Sequence, residues 1–158
     1  EKVTPAHLAT IYNMVDCTIN ISDAEGFGLS TLESLSCGTP IIVNMTGGLQ
    51  EQVTNGIEWF GIGIAPKAKS VIGSLDVPYI YEDRITQAEF ESALNKIFNM
   101  TTESRILMGQ KGRQHVLKNY GFDKYKKTWV DTMTTIYEKN GSWENRKGYC
   151  GIRFKEVA

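Results

Sequence analysis

Short apolar runs alternate with amphipathic stretches in the N-terminal part of the chain. Residues 17–21 and 41–43 are compact runs of the kind that form buried parallel strands. Between them, residues 29–37 show helical spacing of leucines, and Gly38 and Pro40 follow where a helix would end. A strand, a helix and a second strand at this spacing form a βαβ unit. The pattern therefore predicts an α/β fold, with a parallel sheet between two layers of helices.

Five further helices are predicted from the residues at which they would begin. These starts are Thr4 with Pro5, Gly47 with Gly48, Thr86 with Glu89, Thr102, and Asp123 as the cap of the last helix. The last helix has an apolar stripe made of Tyr125, Trp129, Met133, Ile136 and Tyr137. Because such stripes normally face the interior, we expect this one to pack in the core.

Residues 57–85 fit neither helical nor strand spacing. They combine a Gly-rich apolar stretch with lysines, and we predict an irregular excursion followed by a short strand near 79–81. We expect residues 1–139 to form one domain that is incomplete at its N-terminal side, because the chain begins at Glu1 without a methionine, as a fragment of a longer protein would. Residues 140–158 are expected to form a C-terminal tail.

The composition is that of an ordinary globular domain, and it disfavours several functions. The 158 residues are 41% hydrophobic and carry a formal net charge of −1. Nucleic acids and anionic membranes bind basic surfaces, so we expect no nucleic-acid partner. No apolar stretch is long enough to span a bilayer, so we expect no transmembrane segment. The three cysteines show neither a disulfide nor a zinc pattern, which indicates thiols in a reducing compartment.

The candidate chemistry lies in the segment from Glu25 to Glu33. Gly26 and Gly28 immediately precede the helix that connects the two predicted strands. Glycine lets a backbone approach a ligand closely, and amides at a helix N-terminus bind phosphate. The loops at residues 22–28 and 44–48 follow neighbouring parallel strands, so both open at the carboxyl edge of the sheet, where open α/β folds bind their ligands. Two carboxylates eight residues apart around such a helix start favour a phosphate-binding site over a purely structural turn.

Glu33 is expected to be half-buried. Leu29, Leu32 and Leu35 define the apolar stripe of this helix, and Glu33 lies only about 40° around the helix from Leu29. A buried carboxylate without a partner costs several kcal/mol. Glu33 should therefore have a polar partner, either a ligand or an ion pair.

The same residues resemble a known family. Glu25 and Glu33 are similar to the Glu-x7-Glu signature of retaining glycosyltransferases with the two-domain GT-B architecture, the glycosyl transferases group 1. The blocks that extend the resemblance are Glu33-Ser-Leu-Ser-Cys-Gly-Thr-Pro40, Gly47-Gly-Leu-Gln-Glu-Gln-Val53 and Tyr120-Gly-Phe122. It covers most of residues 5–56 and 86–138. It implies that the chain is the later part of a GT-B C-terminal domain, which is Rossmann-like and binds the sugar donor.

The resemblance implies a role for each site residue. The backbone of the glycine loop would contact the diphosphate and sugar of the donor; this loop comprises Gly26, Phe27, Gly28 and Leu29. Glu25 would be the catalytic residue that binds hydroxyls of the transferred sugar, and Glu33 would bind the ribose. The Gly47-Gly48 turn would border the sugar.

The resemblance also implies the reaction and its partners. It indicates transfer of a hexose from a GDP- or UDP-sugar, with GDP-mannose as one candidate, and retention of configuration. No cofactor and no metal are expected. The acceptor would be a carbohydrate, a lipid or a protein held by a missing N-terminal domain. We expect a cytoplasmic protein, with any membrane contact made through that domain.

Other functions stay open at this point. Gly26-x-Gly28-x-x-Thr31 is close to a dinucleotide fingerprint, although the next strand ends at Asn44 and not at the acid that would bind ribose. Asp23 and Glu25 could hold a divalent ion in a metal-dependent transferase. A non-catalytic module that binds nucleotide sugars, and a phosphorylase or epimerase of the same architecture, would show the same residues.

Overall fold

The computed structural model of the chain describes residues 3–77 and 79–148. Its elements in chain order are α1 (Pro5–Asn13), β1 (Thr18–Asn20), α2 (Leu29–Ser36), β2 (Ile41–Asn44), α3 (Leu49–Val53), β3 (Ile62–Ile64), β4 (Ala68–Ile72), β5 (Ile80–Arg84), α4 (Gln87–Phe98), α5 (Thr102–Asn119) and α6 (Phe122–Asn140). The predicted α/β fold is confirmed.

Three strands form a parallel sheet in the order β1-β2-β3. Thr18 pairs with Ile41 in the first ladder, and Ile42 pairs with Ile62 in the second. All four residues of the central strand β2 are buried, as expected for a parallel strand that is covered on both faces. The chain passes from β1 through α2 to β2, which is the predicted βαβ unit.

Helices flank this sheet. Ile42 and Ile64 form one apolar cluster with Ala93 and Ile97 of α4, so α4 covers the face of the sheet to which Ile42 points. Because side chains alternate along a strand, the neighbouring residues 41 and 43 point to the other face. Helices α2 and α3 also pack on β2, and α5 packs on α2.

Glycines allow α5 to approach α2 at backbone distance. A Cβ atom at Gly109 would lie 1.8 Å from the carbonyl oxygen of Gly38, and one at Gly112 would lie 2.7 Å from a methyl group of Leu35. The guanidinium of Arg113 donates a hydrogen bond to the carbonyl of Ser36 at the end of α2. This contact holds the C-terminal end of α2 in place.

Two predicted helix caps are confirmed and one is wrong. The hydroxyl of Thr4 accepts the amide of His7, and Thr86 with Glu89 forms both halves of a capping box. Hydrogen bonds from Thr86 lower the pKa of the Glu89 carboxyl. The cap of α6 is Gly121, however, and Asp123 lies inside the first turn, where a negative charge complements the helix dipole.

The region 57–85 contains more strand than the sequence predicted. Besides the strand near residue 80, it contributes β3 to the parallel sheet, and β4 pairs with β5 in a separate antiparallel hairpin. The three residues of β3 include Gly63, and β4 carries polar residues without a regular alternation. Both features hide a strand from a pattern based on apolar runs.

The chain divides into two compact units, residues 1–119 and residues 120–158. In the second unit, α6 has no buried residue, so the prediction that its apolar stripe packs in a core is wrong. A unit of this size is too small to bury such a stripe by itself. The predicted boundary between residues 139 and 140 stays a prediction, and residues 149–158 of the predicted tail lie outside the described residues. Within the described residues, no helix is long and apolar enough to cross a membrane.

Candidate functional site

Two loops meet at the carboxyl edge of the sheet. Residues 21–28 follow β1, and residues 45–48 follow β2, which is its parallel neighbour. A Cβ atom at Gly47 would lie 1.6 Å from the carbonyl oxygen of Glu25, and one at Gly48 would lie 2.5 Å from that of Phe27. Only glycine fits at either position, so this backbone-to-backbone contact depends on Gly47 and Gly48. The structure thus brings Glu25, the glycine loop and the Gly47-Gly48 turn together.

The N-terminus of α2 opens into this edge. Gly28 caps the helix with a left-handed φ of 86°, and no side chain satisfies the first turn. Among the described residues, the amides of Gly26, Gly28 and Leu29 donate to no acceptor. Unsatisfied amides at a helix start, together with the helix dipole, form a site for an anion.

Gly26 faces open space. A Cβ atom there would meet no heavy atom within 4 Å, and the backbone does not have a positive φ. Among the described residues, neither packing nor backbone conformation explains a glycine at this position. Close approach of a ligand from outside the chain would explain it.

Glu25 is half-buried beside the turn. Within the part of the chain that the structure describes, its carboxylate has no hydrogen-bond or ion-pair partner. This distinguishes it from Asp23, which pairs with Arg84 at 2.5 Å. A carboxylate that has lost part of its hydration without gaining a partner is suited to accept hydrogen bonds from ligand hydroxyls.

Glu33 is exposed, and the prediction of a half-buried carboxylate is wrong. The buried face of α2 consists of Thr31, Leu32, Ser34 and Leu35. Leu29, which the prediction took as part of the apolar stripe, is 66% exposed because it lies in the first turn at the open sheet edge. Glu33 lies one turn further along the same face, and it therefore faces outward with Leu29.

Glu33 nevertheless has the polar partner that was expected. The phenol of Tyr12, near the end of α1, donates a hydrogen bond of 2.9 Å to its carboxylate. Partial burial, this hydrogen bond and the charge of Glu33 together raise the pKa of Tyr12 to about 12. The phenol therefore remains a donor at physiological pH and fixes the orientation of the carboxylate. The sequence gives no local signal for this pair, since the two residues belong to different helices.

Gln52 and Asn44 stabilise the loop after β1 through side-chain hydrogen bonds to its backbone. Gln52 is fully buried, and its amide group donates to the carbonyl of Phe27 in the glycine loop. Asn44, also fully buried, donates at 3.0 Å to the carbonyl of Ser22. The sequence offered a signal for Gln52, because it stands at a helical spacing from Leu49 on the buried face of α3. A polar side chain at such a position needs a backbone partner.

The acidic side chains of the site carry negative charge, and its free backbone amides carry partial positive charge. The arrangement can bind an anion on the amides of the glycine loop, with two carboxylates available for hydroxyl groups on either side. In the part of the chain that the structure describes, no three metal-ligating side chains come together. Asp23 is one of the two acids that a metal-dependent transferase would use to hold a divalent ion. Its charge is compensated by the guanidinium of Arg84. Both histidines lie in helices, and the ring of His115 stacks on that of Phe60, with 4.5 Å between the ring centroids.

Comparison with solved structures gives the same fold. The chain is similar to sucrose-phosphate synthase from Thermosynechococcus elongatus, with a TM-score of 0.67 and 20% sequence identity. The similarity covers 87% of this chain and 29% of that protein.

Curated relatives are similar over parts of the chain. A D-inositol 3-phosphate glycosyltransferase from Streptosporangium roseum is 44% identical over 54 residues, which are 34% of this chain and 12% of that protein. The D-inositol 3-phosphate glycosyltransferase 2 from Catenulispora acidiphila is 33% identical over 86 residues, which are 52% of this chain and 20% of that protein. The matched segments thus span a fifth or less of these relatives.

A family model covers most of the chain. The model for the glycosyl transferases group 1 matches residues 2–115, which include both loops, both acids and the turn at the sheet edge. This match is consistent with the resemblance carried by Glu25 and Glu33. The chain belongs to the glycosyl transferases group 1 family.

Proposed function

We propose that this chain forms the donor-binding part of a glycosyltransferase that moves a hexose from a GDP- or UDP-sugar to an acceptor with retention of configuration. The observation that carries the proposal is the open N-terminus of α2, with its unsatisfied amides between Glu25 and Glu33 at the sheet edge. A nucleotide sugar combines the three groups that such a site would bind, namely a diphosphate, a ribose and a sugar. Membership of the family supports the same conclusion.

Each part of the donor has a matching group in the chain. The diphosphate would accept hydrogen bonds from the amides of the glycine loop, whose geometry suits an anion. Glu33 would accept hydrogen bonds from the ribose hydroxyls, since its carboxylate is exposed and oriented by Tyr12. Glu25, which has no partner of its own in the described structure, would accept hydrogen bonds from the sugar. The Gly47-Gly48 turn would border the sugar, because it lies directly against the backbone of Glu25.

The chemistry would use the donor's own phosphate. The bond between the anomeric carbon and the diphosphate breaks, and the acceptor oxygen bonds to the same face of that carbon. The acceptor proton passes to a phosphate oxygen of the leaving group. Positive charge that develops on the sugar is stabilised by the nearby carboxylate of Glu25, so this residue acts mainly on the transition state. The reaction then needs neither a protein nucleophile nor a metal ion.

The acceptor would be held by the longer polypeptide. The relatives are several times longer than the segments matched here, which leaves room for an acceptor-binding domain. The names of these relatives include inositol 3-phosphate, and we propose a hydroxyl of a carbohydrate, lipid or protein as the acceptor group here. The free thiols of Cys17 and Cys37 suit a reducing compartment, and we propose a cytoplasmic reaction.

The proposal is tested by incubating the intact polypeptide that contains this chain with GDP- and UDP-sugars and a panel of carbohydrate, lipid and protein acceptors, and following release of nucleoside diphosphate. Release should continue in the presence of a chelator and should fall at least about a hundredfold in Glu25→Ala, because the removed carboxylate acts on the transition state. Glu91→Ala, which removes an exposed acid of α4, is the matched control. Binding of the nucleotide sugar without any release would instead indicate a non-catalytic module. Loss of activity with the chelator would contradict the metal-independent reaction.

A further inference from the structure

The β4–β5 hairpin, which the sequence did not predict, is joined to both loops of the site through Asp83. The amide of Asp83 donates to the carbonyl of Asp23 at 2.7 Å, in the loop after β1. The carbonyl of Asp83 accepts the side-chain amide of Asn44 at 2.8 Å, at the end of β2. Its carboxylate accepts the hydroxyl of Thr46 at 2.8 Å, in the loop after β2. One residue of the hairpin thus contacts three elements of the sheet edge.

The bond to Thr46 is placed to control the glycine turn. Thr46 is buried and immediately precedes Gly47, whose Cα lies against the backbone of Glu25. Two consecutive glycines give this turn little stiffness of its own. A buried hydroxyl that loses its acceptor carries a desolvation cost. The conformation of the turn in which Thr46 donates to Asp83 is therefore favoured over conformations that break this bond.

A second contact links the hairpin to the loop after β1. The guanidinium of Arg84 pairs with the carboxylate of Asp23 at 2.5 Å and also contacts Glu82. Asp23 stands two residues before Glu25, on the same loop. The hairpin therefore restrains the site from both sides, through the loop that carries Glu25 and through the turn that lies against it.

We propose that Asp83 is a positioning residue, which holds the Gly47-Gly48 turn through Thr46 and so fixes the placement of Glu25 against the sugar of the donor. This inference rests on the proposed function. The ribose-binding carboxylate of Glu33 lies on α2 and has its own support from Tyr12. The hairpin therefore acts on the sugar end of the site and leaves nucleotide binding to α2.

The test compares variants of the intact polypeptide in turnover and in nucleotide binding. Asp83→Ala should lower kcat about tenfold, because a small misplacement of a catalytic group is costly, and should change the Kd for nucleoside diphosphate by less than about twofold. Asp83→Asn should restore most of kcat, because its amide oxygen still accepts the Thr46 hydroxyl. Thr46→Val should reproduce Asp83→Ala, and the double variant should be no worse than either single one.

Lys69→Met is the matched control. Lys69 lies 3.7 Å from the other carboxylate oxygen of Asp83, so this change removes a neighbouring charge and leaves the bond to Thr46 intact. It should leave kcat unchanged. Wild-type kcat in both Asp83→Ala and Thr46→Val would overturn the inference. An equal loss of nucleotide binding and turnover in those two variants would also overturn it, since it would mean that the hairpin only supports folding.

Amide hydrogen exchange tests the tether without relying on activity. In Asp83→Ala and in Thr46→Val, residues 22–25 and 45–48 should exchange at least about threefold faster, while α2, α4 and α5 should be unchanged. Unchanged exchange in both loops would overturn the inference even in an active enzyme. If the wild-type polypeptide neither binds nucleotide nor transfers sugar, the proposed function fails, and the exchange result still decides whether Asp83 holds the loops.

Discussion

Gly26→Ala is the change that separates a ligand-facing glycine from a structural one. The described part of the chain gives no reason for glycine at this position, because a Cβ atom would meet nothing within 4 Å and φ is not positive. Gly47 provides the contrast. There φ is 49° and a Cβ atom would lie 1.6 Å from the carbonyl oxygen of Glu25.

The expected magnitudes follow from these surroundings. An alanine that fits its backbone conformation stabilises a protein by about 0.4–1 kcal/mol, because it lowers the entropy of the unfolded chain. The folding stability of Gly26→Ala should therefore be equal to or slightly above that of the wild type. A methyl group pushed into a filled site costs about 1–3 kcal/mol. The affinity of Gly26→Ala for nucleoside diphosphate should therefore fall about 5–150-fold.

Urea unfolding and calorimetric titration of the intact polypeptide measure the two quantities separately. Gly47→Ala should lose about 1–3 kcal/mol or more of folding stability, since both the clash and the strained φ must be relieved. Wild-type nucleotide affinity in Gly26→Ala would refute the reasoning, because it would mean that no ligand approaches this backbone. A loss of stability in Gly26→Ala as large as that in Gly47→Ala would show that the space at Gly26 is not open.

Three further predictions concern single contacts. Tyr12→Phe should weaken nucleoside diphosphate binding by about 0.5–1.5 kcal/mol in calorimetry, because Glu33 loses an orienting hydrogen bond. The stabilisation from this bond should be complete below about pH 10, the usual pKa of tyrosine, and lost as the pH passes the raised pKa of Tyr12 at about 12. An absorbance titration should show one tyrosine that ionises at this higher pH in the wild type and is missing in Tyr12→Phe. Gly109→Ala should cost about 1–3 kcal/mol in urea unfolding, since its methyl group would collide with the carbonyl of Gly38, and an unchanged midpoint would contradict the tight contact. Burial raises the pKa of the Cys17 thiol to about 11, so at pH 8 it should alkylate about a hundredfold more slowly than an exposed thiol in peptide-mapped mass spectrometry; equal rates would contradict its burial.

The parts of the fold that the sequence predicted correctly are those with strong local signals. Strand β2 begins with three consecutive apolar residues, Ile41 to Val43, and α2 has a glycine before it and Gly38 with Pro40 after it. The capping box at Thr86 is also a local pattern of side chains and amides. Such features depend on neighbours in the sequence, and a single chain displays them without its tertiary structure.

The features that the sequence did not predict depend on contacts between distant segments. The hairpin docks through Asp83 onto residues that lie about forty to sixty positions earlier, and β4 alone has no strand periodicity. Glu33 is exposed although its position beside Leu29 suggested otherwise, because Leu29 is itself 66% exposed and the helix face that the two residues share is turned outward. The stripe of α6 has an apolar pattern typical of a core, yet no residue of α6 is buried in the part of the chain that the structure describes. A helical period shows which side chains share a face and does not show what that face meets.

For the candidate site, the sequence predicted which residues meet and the structure adds what holds them there. Glu25, the glycine loop and the Gly47-Gly48 turn lie together as expected from their places after parallel strands. The contacts of Tyr12, Gln52 and Asp83 with these residues join separate elements and leave no motif. Their roles toward a donor stay predictions that the variants above address.

The most direct test of the central claim is calorimetric titration of GDP and UDP into the intact polypeptide, with and without chelator, in the wild type, Glu33→Ala and the control Glu91→Ala. We predict that one nucleotide binds, that the chelator has no effect, and that only Glu33→Ala weakens binding, by about 1.5–3 kcal/mol, the contribution of a hydrogen bond to a charged group. Binding of neither nucleotide, or equal binding by wild type and Glu33→Ala, would contradict the assignment of this sheet edge as a nucleotide-sugar site.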